Sequence, residues 1–243
     1  MQPKTVVSLS EDLKSKIATR SARIGVIGLG YVGLPLALLF TEETFPVTGF
    51  DIDTRKVKTL GEGGSYIFRI PAEQIQGALR QGFRATSEYA RIAEMDVVII
   101  CVPTPLNEYM EPDLSFITST AQAIAPYLRA GQLIVLESTT YPGTTEEVLI
   151  PILEKNNRAE LRLARDGMPA SPQEFYVAFS PEREDPGNET VARRDIPKVV
   201  GGCSVAATDA ASALYSAIFK KTVKVSAPQR PRCANCWRTS IAA

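Results

Sequence analysis

Short runs of consecutive apolar residues recur along the chain and alternate with longer segments whose apolar residues have helical spacing. These runs are predicted to form β-strands, at residues 23–27, 47–50, 96–101, 133–136, 175–179, 198–201 and 222–225. The helical spacing predicts α-helices at residues 34–40, 55–60, 116–128, 144–155 and 206–219, and Ser10 is predicted to open a short amphipathic helix before the first strand. Residues 161–172 are polar and irregular, so we predict a loop there.

The alternation of strands and helices indicates the fold class. Strands that are apolar throughout are typical of a parallel sheet covered by helices on both faces. We therefore expect an α/β fold with a doubly wound, mainly parallel sheet. It is expected to occupy residues 23–225, after a helical extension at residues 1–22 and before a tail at residues 226–243 that has no apolar periodicity.

Composition and charge exclude several classes of function. Because 27 Lys and Arg balance 27 Asp and Glu, nothing electrostatic favours nucleic acid or an anionic membrane as a partner. The chain has no histidine, which excludes a histidine base, a Ser-His-Asp triad and a histidine-ligated zinc. Residues 1–16 do not resemble a signal peptide, and the longest apolar run, residues 97–102, is far shorter than the ~20 residues that span a bilayer. A cytoplasmic protein is expected.

The strongest local motif is rich in glycine. Gly28, Gly30 and Gly33 form a GxGxxG pattern between the first predicted strand and the next helix, and Asp51 ends the second strand. This is the complete context of a dinucleotide-binding fingerprint in a Rossmann-like fold, in which the glycines permit a tight turn, approach of the pyrophosphate and close helix packing. Asp51 is expected to accept hydrogen bonds from ribose hydroxyls and to repel a 2′-phosphate, which favours NAD over NADP. The alternative is a glycine-rich turn without a ligand.

Three further loops follow predicted strands, at residues 101–105, 137–145 and 180–187. Ligands bind at the carboxyl ends of parallel strands in open α/β sheets. The Pro, Gly, Ser and Thr residues of the first two loops are equally consistent with ordinary turns and helix caps. A carboxylate of the third loop can orient or deprotonate water, although the residues alone favour a solvated charged turn.

A CxxC motif, Cys233 and Cys236, lies in the arginine-rich tail. Two thiolates complete only half of a zinc site. As a redox motif, the pair would be expected to open a helix within a βαβ unit, but it lies in a tail whose sequence has no apolar periodicity. We expect no metal site and interpret the two cysteines as incidental.

Five motifs in order make the chain resemble the UDP-glucose/GDP-mannose dehydrogenase family over residues 23–225. They are GLGYVGLPLA at 28–37, GFDID at 49–53, VPTP at 102–105, STT at 138–140 and SPER at 180–183. The sequence near residues 141–145 and 180–187 is most similar to the branch that oxidises UDP-N-acetylglucosamine and UDP-N-acetylmannosamine. The resemblance implies oxidation of carbon 6 of a UDP-sugar to the uronic acid, with NAD as cofactor. The alternatives are a UDP-glucose 6-dehydrogenase, a non-catalytic NAD-binding regulatory module, and a complete small oxidoreductase with its own substrate.

The resemblance also implies which residues contact the cofactor. Tyr31 and Val32, together with the motif glycines, correspond to residues at the pyrophosphate. Asp51 corresponds to the ribose contact, and Lys56 to a basic residue that also serves the cofactor. Thr104 corresponds to a residue near the cofactor.

Thr139 and Glu182 are the catalytic residues that the resemblance implies. Thr139 corresponds to a residue near the cofactor and the water relay, and Glu182 to the acid that acts in hydrolysis of a thioester intermediate. Arg69 stands where the family usually has histidine. The family's nucleophilic cysteine, its central helix and its sugar-binding domain have no counterpart here, and Cys203 is not expected to replace the nucleophile. We therefore expect no turnover by this chain alone, and expect a UDP-sugar partner and a homo-oligomer only for the full-length enzyme.

The tail suggests a reason for this departure. The residues from Gln229 onward can be back-translated with chosen codons. When the first two bases are removed, the new reading frame encodes EAEMCKLLENIYRG, which resembles the family's central helix. We therefore expect residues 226–243 to be a non-native segment read in a shifted frame. The DNA sequence around codon 229 decides this point.

Overall fold

The computed structural model describes residues 8–106, 108, 112–141, 143–181 and 193–225. Within these residues the chain forms seven α-helices and nine β-strands. The helices are α1 (Leu9–Ala18), α2 (Gly33–Glu42), α3 (Thr54–Gly61), α4 (Ala72–Arg80), α5 (Ser115–Ile124), α6 (Ile150–Asn156) and α7 (Val205–Ser216). The strands are β1 (Ile24–Ile27), β2 (Val47–Phe50), β3 (Arg84–Thr86), β4 (Val97–Ile100), β5 (Leu133–Leu136), β6 (Arg162–Leu163), β7 (Glu174–Phe179), β8 (Lys198–Gly202) and β9 (Thr222–Lys224). Short helical turns occupy Tyr89–Glu94, Ala125–Tyr127, Thr145–Leu149 and Arg193–Asp195.

The strands form a sheet in the order β3-β2-β1-β4-β5-β7-β8-β9, with β6 paired to the start of β7. Its first six positions follow the usual order of a dinucleotide-binding sheet. The strand pairs are parallel, apart from the antiparallel pairing of β7 with β8. The expected doubly wound, mainly parallel sheet is confirmed.

The two faces of the sheet carry separate hydrophobic cores. Successive residues of one strand point to opposite faces, so Val97 and Ile99 pack in one core while Val98 and Ile100 pack in the other. Helices α1, α2, α4 and α7 supply buried side chains to the first core, and α5 and α6 to the second. Burial on both faces explains why these strands are apolar throughout.

The first helix is part of the packed domain. It begins at Leu9 rather than at Ser10, because the Ser8 side chain caps it by accepting a hydrogen bond from the Glu11 N–H. Leu13 and Ile17 are buried in the same core as α7. The predicted extension is thus continuous with the core.

Several elements differ from the sequence prediction. Helix α4 and strand β3 were not predicted, and β6 lies within residues 161–172, where a loop was expected. Over the part of the chain that the structure describes, every helix is too short or too polar to cross a lipid bilayer. The tail at residues 226–243, with its CxxC motif, lies outside the described residues.

Candidate functional site

The glycine-rich loop connects β1 to α2 at the carboxyl edge of the sheet. Gly28 has a φ of 90°, a left-handed conformation that favours glycine. Its N–H donates to the Phe50 carbonyl at 2.8 Å. A Cβ at this position would lie 2.6 Å from the Cys101 carbonyl oxygen. Both its conformation and the close approach of the β4 end therefore require glycine.

The other two glycines of the motif have different surroundings. A Cβ on Gly33 would lie 1.9 Å from the Gly28 carbonyl oxygen, so this glycine lets α2 start directly against the turn. A Cβ on Gly30 would meet no described atom within 4 Å. Internal packing therefore does not explain Gly30, but its open surroundings leave room for a ligand to approach the backbone.

The first turn of α2 suits an anion. Tyr31 and Val32 form the turn before the helix, with the Tyr31 side chain largely exposed. Val32 supplies no side-chain cap, and the first turn has no acidic residue. The first N–H groups of a helix have no intrahelical acceptor, and they carry the positive end of the helix dipole. These features fit a cofactor pyrophosphate.

Asp51, immediately after β2, is buried and links three parts of the site. Its Oδ2 accepts hydrogen bonds from the Leu29 N–H at 2.9 Å and from Lys56 Nζ at 3.2 Å. Its Oδ1 accepts from the Asp53 N–H at 2.9 Å. The carboxylate therefore orders the glycine-rich loop and lies beside the one cation predicted to contact the cofactor. A carboxylate has about four acceptor positions, which leaves capacity for a ribose hydroxyl.

The loops after β4 and β5 are joined by two hydrogen bonds. Thr104 Oγ1 donates to the Thr139 carbonyl oxygen at 2.6 Å. Ser138 Oγ donates to the Val102 carbonyl oxygen at 2.7 Å. Strand β4 pairs with β1 on one side and β5 on the other, so Thr104 and Thr139 lie at the same sheet edge as the glycine-rich loop. The structure brings these two predicted residues together.

A buried polar cluster, which was not predicted from the sequence, lies behind this edge. Glu137, the residue after β5, forms an ion pair with Lys198 on β8, with Nζ and Oε1 3.1 Å apart and both side chains almost completely buried. The Tyr215 hydroxyl donates to the same oxygen, and Cys101 Sγ lies 3.8 Å from Oε2. The pattern around Glu137 is that of a turn, and only the fold shows that its carboxylate points into the core.

Other candidate residues lie elsewhere. Glu182 lies outside the described residues, so its expected role stays a prediction. Arg69 is exposed, in the loop between α3 and α4.

Burial, with the charge of Glu146 as a second cause, raises the pKa of the Cys203 thiol to about 12. Because the thiolate is the reactive form, Cys203 is a poor nucleophile at neutral pH. Among the described residues, no group of three or more Cys, Asp or Glu side chains could hold a metal ion.

Comparison with known proteins gives consistent matches over most of the chain. The model of the UDP-glucose/GDP-mannose dehydrogenase family, NAD binding domain, matches residues 22–219. The UDP-N-acetyl-D-glucosamine 6-dehydrogenase of Salmonella typhi is 36% identical over 197 residues, which are 81% of this chain and 43% of that protein. The UDP-N-acetyl-D-mannosamine dehydrogenase of Pyrococcus horikoshii is 34% identical over 200 residues, or 82% and 45% of the two chains.

Solved structures match over the same region. The structure of UDP-D-ManNAc dehydrogenase from Pyrococcus horikoshii has a TM-score of 0.73 at 33% identity and covers 84% of this chain and 47% of its own. The NDP-N-acetyl-D-galactosaminuronic acid dehydrogenase from Methanosarcina mazei Go1 has a TM-score of 0.75 at 30% identity, with 90% and 46% covered. The chain thus spans less than half the length of these relatives.

Proposed function

The chain belongs to the UDP-glucose/GDP-mannose dehydrogenase family, and from that premise we propose that it is the cofactor-binding part of an enzyme that oxidises carbon 6 of a UDP-N-acetylhexosamine to the uronic acid. The observation that carries the proposal is the glycine-rich loop. Its outer two glycines are required by internal packing, whereas Gly30 faces open space beside a buried carboxylate. That combination suits a bound dinucleotide.

The sugar class is supported by the names of the relatives. Relatives at 34–36% identity are named as dehydrogenases of UDP-N-acetyl-D-glucosamine and UDP-N-acetyl-D-mannosamine and as an NDP-N-acetyl-D-galactosaminuronic acid dehydrogenase, all of which are names of N-acetylated sugars. We therefore favour an N-acetylated sugar over UDP-glucose.

Each cofactor residue has a proposed task. A bound NAD would supply the hydride acceptor for the oxidation. The N–H groups at the start of α2, near Tyr31 and Val32, hold the pyrophosphate. Asp51 accepts hydrogen bonds from the ribose hydroxyls, and Lys56 lies next to it to contact the cofactor. Thr104, in the loop after β4 at the same sheet edge, would also contact the cofactor.

The catalytic steps are assigned to two residues. We assign Thr139 to the positioning of water, because its loop is tied to the β4 loop beside the cofactor residues. Glu182 is assigned to the activation of the water that releases the acid. The nucleophile that this chemistry needs is not assigned to Cys203, whose thiol is buried with a raised pKa.

Binding is tested with two glycine variants. Gly30→Val is expected to leave the melting temperature unchanged, because the site of the added side chain is open. It should weaken NAD binding by about tenfold or more, or ~1.4 kcal/mol, in isothermal titration calorimetry. Gly61→Val is the matched control, since Gly61 also faces open space but lies at the end of α3. Unchanged NAD affinity in Gly30→Val, or no NAD binding by the wild-type chain, would refute the proposed site.

Turnover is tested on the same chain. Alignment of substrate and cofactor accounts for ~7–11 kcal/mol of a barrier, and the relatives are more than twice as long as the region they share with this chain. We expect NAD binding without NADH production from UDP-N-acetylglucosamine, UDP-N-acetylmannosamine or UDP-glucose. Steady NADH formation by the 243-residue chain would show instead that it is a complete oxidoreductase.

A further inference from the structure

The residue between the first two motif glycines, Leu29, is held on three sides. Its N–H donates to Asp51 Oδ2 at 2.9 Å. Its carbonyl oxygen accepts a hydrogen bond from the Tyr66 hydroxyl at 2.5 Å. Its side chain is buried against Gly49, where an added Cβ would lie 2.7 Å from a Leu29 methyl carbon. The two peptide groups of Leu29 therefore have fixed orientations.

The contact from Tyr66 determines where the next N–H points. In a trans peptide the carbonyl and the following N–H point in opposite directions, and the described residues contain no cis peptide. Because the Leu29 carbonyl is turned toward Tyr66, the Gly30 N–H points away from Tyr66. The Gly30 carbonyl in turn accepts from the Leu34 N–H at 3.1 Å. The peptide groups before and after the Gly30 Cα are thus both held by hydrogen bonds, and an added Cβ on this residue would meet open space.

Tyr66 is itself held firmly. It lies in the loop between α3 and α4, which Ile67 and Ile70 anchor in the core. Lys56 Nζ lies 5.8 Å from the centre of the Tyr66 ring. Burial, followed by the negative charges of Asp51 and Asp53, raises the pKa of the Tyr66 hydroxyl well above its ordinary value of 10.0. The hydroxyl therefore keeps its proton and remains a donor at neutral and mildly alkaline pH.

We propose that Tyr66 is a positioning residue for the cofactor, which holds the Leu29 carbonyl so that the Gly30 N–H is aimed at the pyrophosphate. The inference rests on the proposed binding of NAD. It assigns a role to a residue outside the glycine motif whose hydroxyl donates to the backbone of the motif. Hydrogen bonds to charged groups are stronger than neutral ones and depend on alignment, so the pyrophosphate part of the ligand is the part that Tyr66 affects.

The test is Tyr66→Phe, which removes the hydroxyl and keeps the ring beside Lys56. Binding of NAD, ADP-ribose and adenosine is measured by isothermal titration calorimetry, with NMR titration for adenosine. We expect the Kd of NAD and of ADP-ribose to rise about five- to twentyfold, in line with the loss of one aligned hydrogen bond to a charged group. The Kd of adenosine, which has the ribose hydroxyls but no pyrophosphate, should change less than about twofold.

A second readout does not depend on affinity. At saturating NAD, the amide resonance of Gly30 should shift less in Tyr66→Phe than in the wild type. Tyr127→Phe is the matched control, because Tyr127 is also half-buried with a cation, Arg158, 6.0 Å from its ring centre but lies in the turn before β5. It should leave all three Kd values and the Gly30 shift unchanged.

The outcomes separate the two proposals. Equal weakening of all three ligands would mean that Tyr66 only supports the fold of the loop, and unchanged binding of NAD and ADP-ribose would mean that it has no role in the site. Either result overturns the inference while NAD binding stands. If the wild-type chain binds no NAD, the proposed function fails, and the inference fails with it.

Discussion

The buried ion pair between Glu137 and Lys198 allows a quantitative test of the packing behind the site. The pair is 3.1 Å apart, with side-chain exposures of 0% for Glu137 and 5% for Lys198. Lys198 Nζ also lies 5.3 Å from the Tyr215 ring centre and 5.6 Å from that of Phe219. Removal of one partner therefore breaks a buried ion pair, at a cost of ~3–5 kcal/mol in the free energy of unfolding.

The perturbation is a double-mutant cycle of Lys198→Met and Glu137→Gln. Each single variant removes one of the two charges of the pair, whereas the double variant removes both. The glutamine also keeps an oxygen acceptor for the Tyr215 hydroxyl, so we expect the double variant to cost only ~1–2 kcal/mol. The double variant should thus be more stable than either single variant.

Urea unfolding followed by circular dichroism measures all four proteins. Each kcal/mol should also lower the melting temperature by about 2–4 °C for a domain of this size. The control is Lys224→Met, which removes an exposed ion pair with Asp209 of 2.7 Å and should cost less than ~1 kcal/mol. Single variants that cost no more than this control, or a double variant at the sum of the two single losses, would refute the reasoning.

Three further predictions concern the cofactor, acid stability and metal binding. Calorimetry should show NAD binding more tightly than NADP by ~1–3 kcal/mol, because the Asp51 carboxylate opposes a 2′-phosphate; equal or tighter NADP binding would contradict the assignment of Asp51. Burial raises the pKa of Asp96, but hydrogen bonds from the Arg23 N–H and the Arg129 guanidinium outweigh burial and hold the pKa below its ordinary value of 3.8. The stability that Asp96 contributes is therefore fully present above pH 3.8 and is lost as the pH falls through the lowered pKa. Measurement of the free energy of unfolding at decreasing pH should show this loss in the wild type but not in Asp96→Asn. Elemental analysis should find no stoichiometric metal on Cys233 and Cys236, and one tightly held zinc per chain would contradict this.

The central strands could be predicted closely from the sequence. Residues 133–136 were predicted to be a strand and form β5, because each residue is apolar and the run ends at polar turn residues. The same pattern does not encode direction, so the antiparallel pairing of β8 could be seen only in the structure.

The missed elements have weak patterns for physical reasons. Helix α4 has only Ile75 and Ala78 buried, so its sequence shows little apolar periodicity. Strand β3 lies at the sheet edge and has no fully buried residue. Strand β6 has two residues and depends on pairing with the start of β7. In each case long-range pairing or partial burial, rather than local sequence, stabilises the element.

The candidate site likewise contains residues that could be predicted from the sequence and residues that could not. The roles of Gly28 and Gly33 follow from local geometry, which the motif spacing reflects directly. Tyr66 contacts a residue 37 positions away, and Tyr215 reaches Glu137 across 78 positions. No single-sequence pattern reports contacts at such separations, so these residues could be identified only once the fold was known.

The contacts of Leu29 also affect the conformation of the glycine-rich loop before a dinucleotide binds. Asp51 orders the loop through the Leu29 N–H and is the residue proposed to hold the ribose. Tyr66 orders the same loop through the Leu29 carbonyl. The glycine-rich loop is therefore held in its binding conformation by hydrogen bonds within the protein, and less conformational entropy remains to be lost when a dinucleotide binds. It also follows that substitutions of Asp51 change two things together, ligand contact and loop order, whereas substitution of the Tyr66 hydroxyl changes loop order alone.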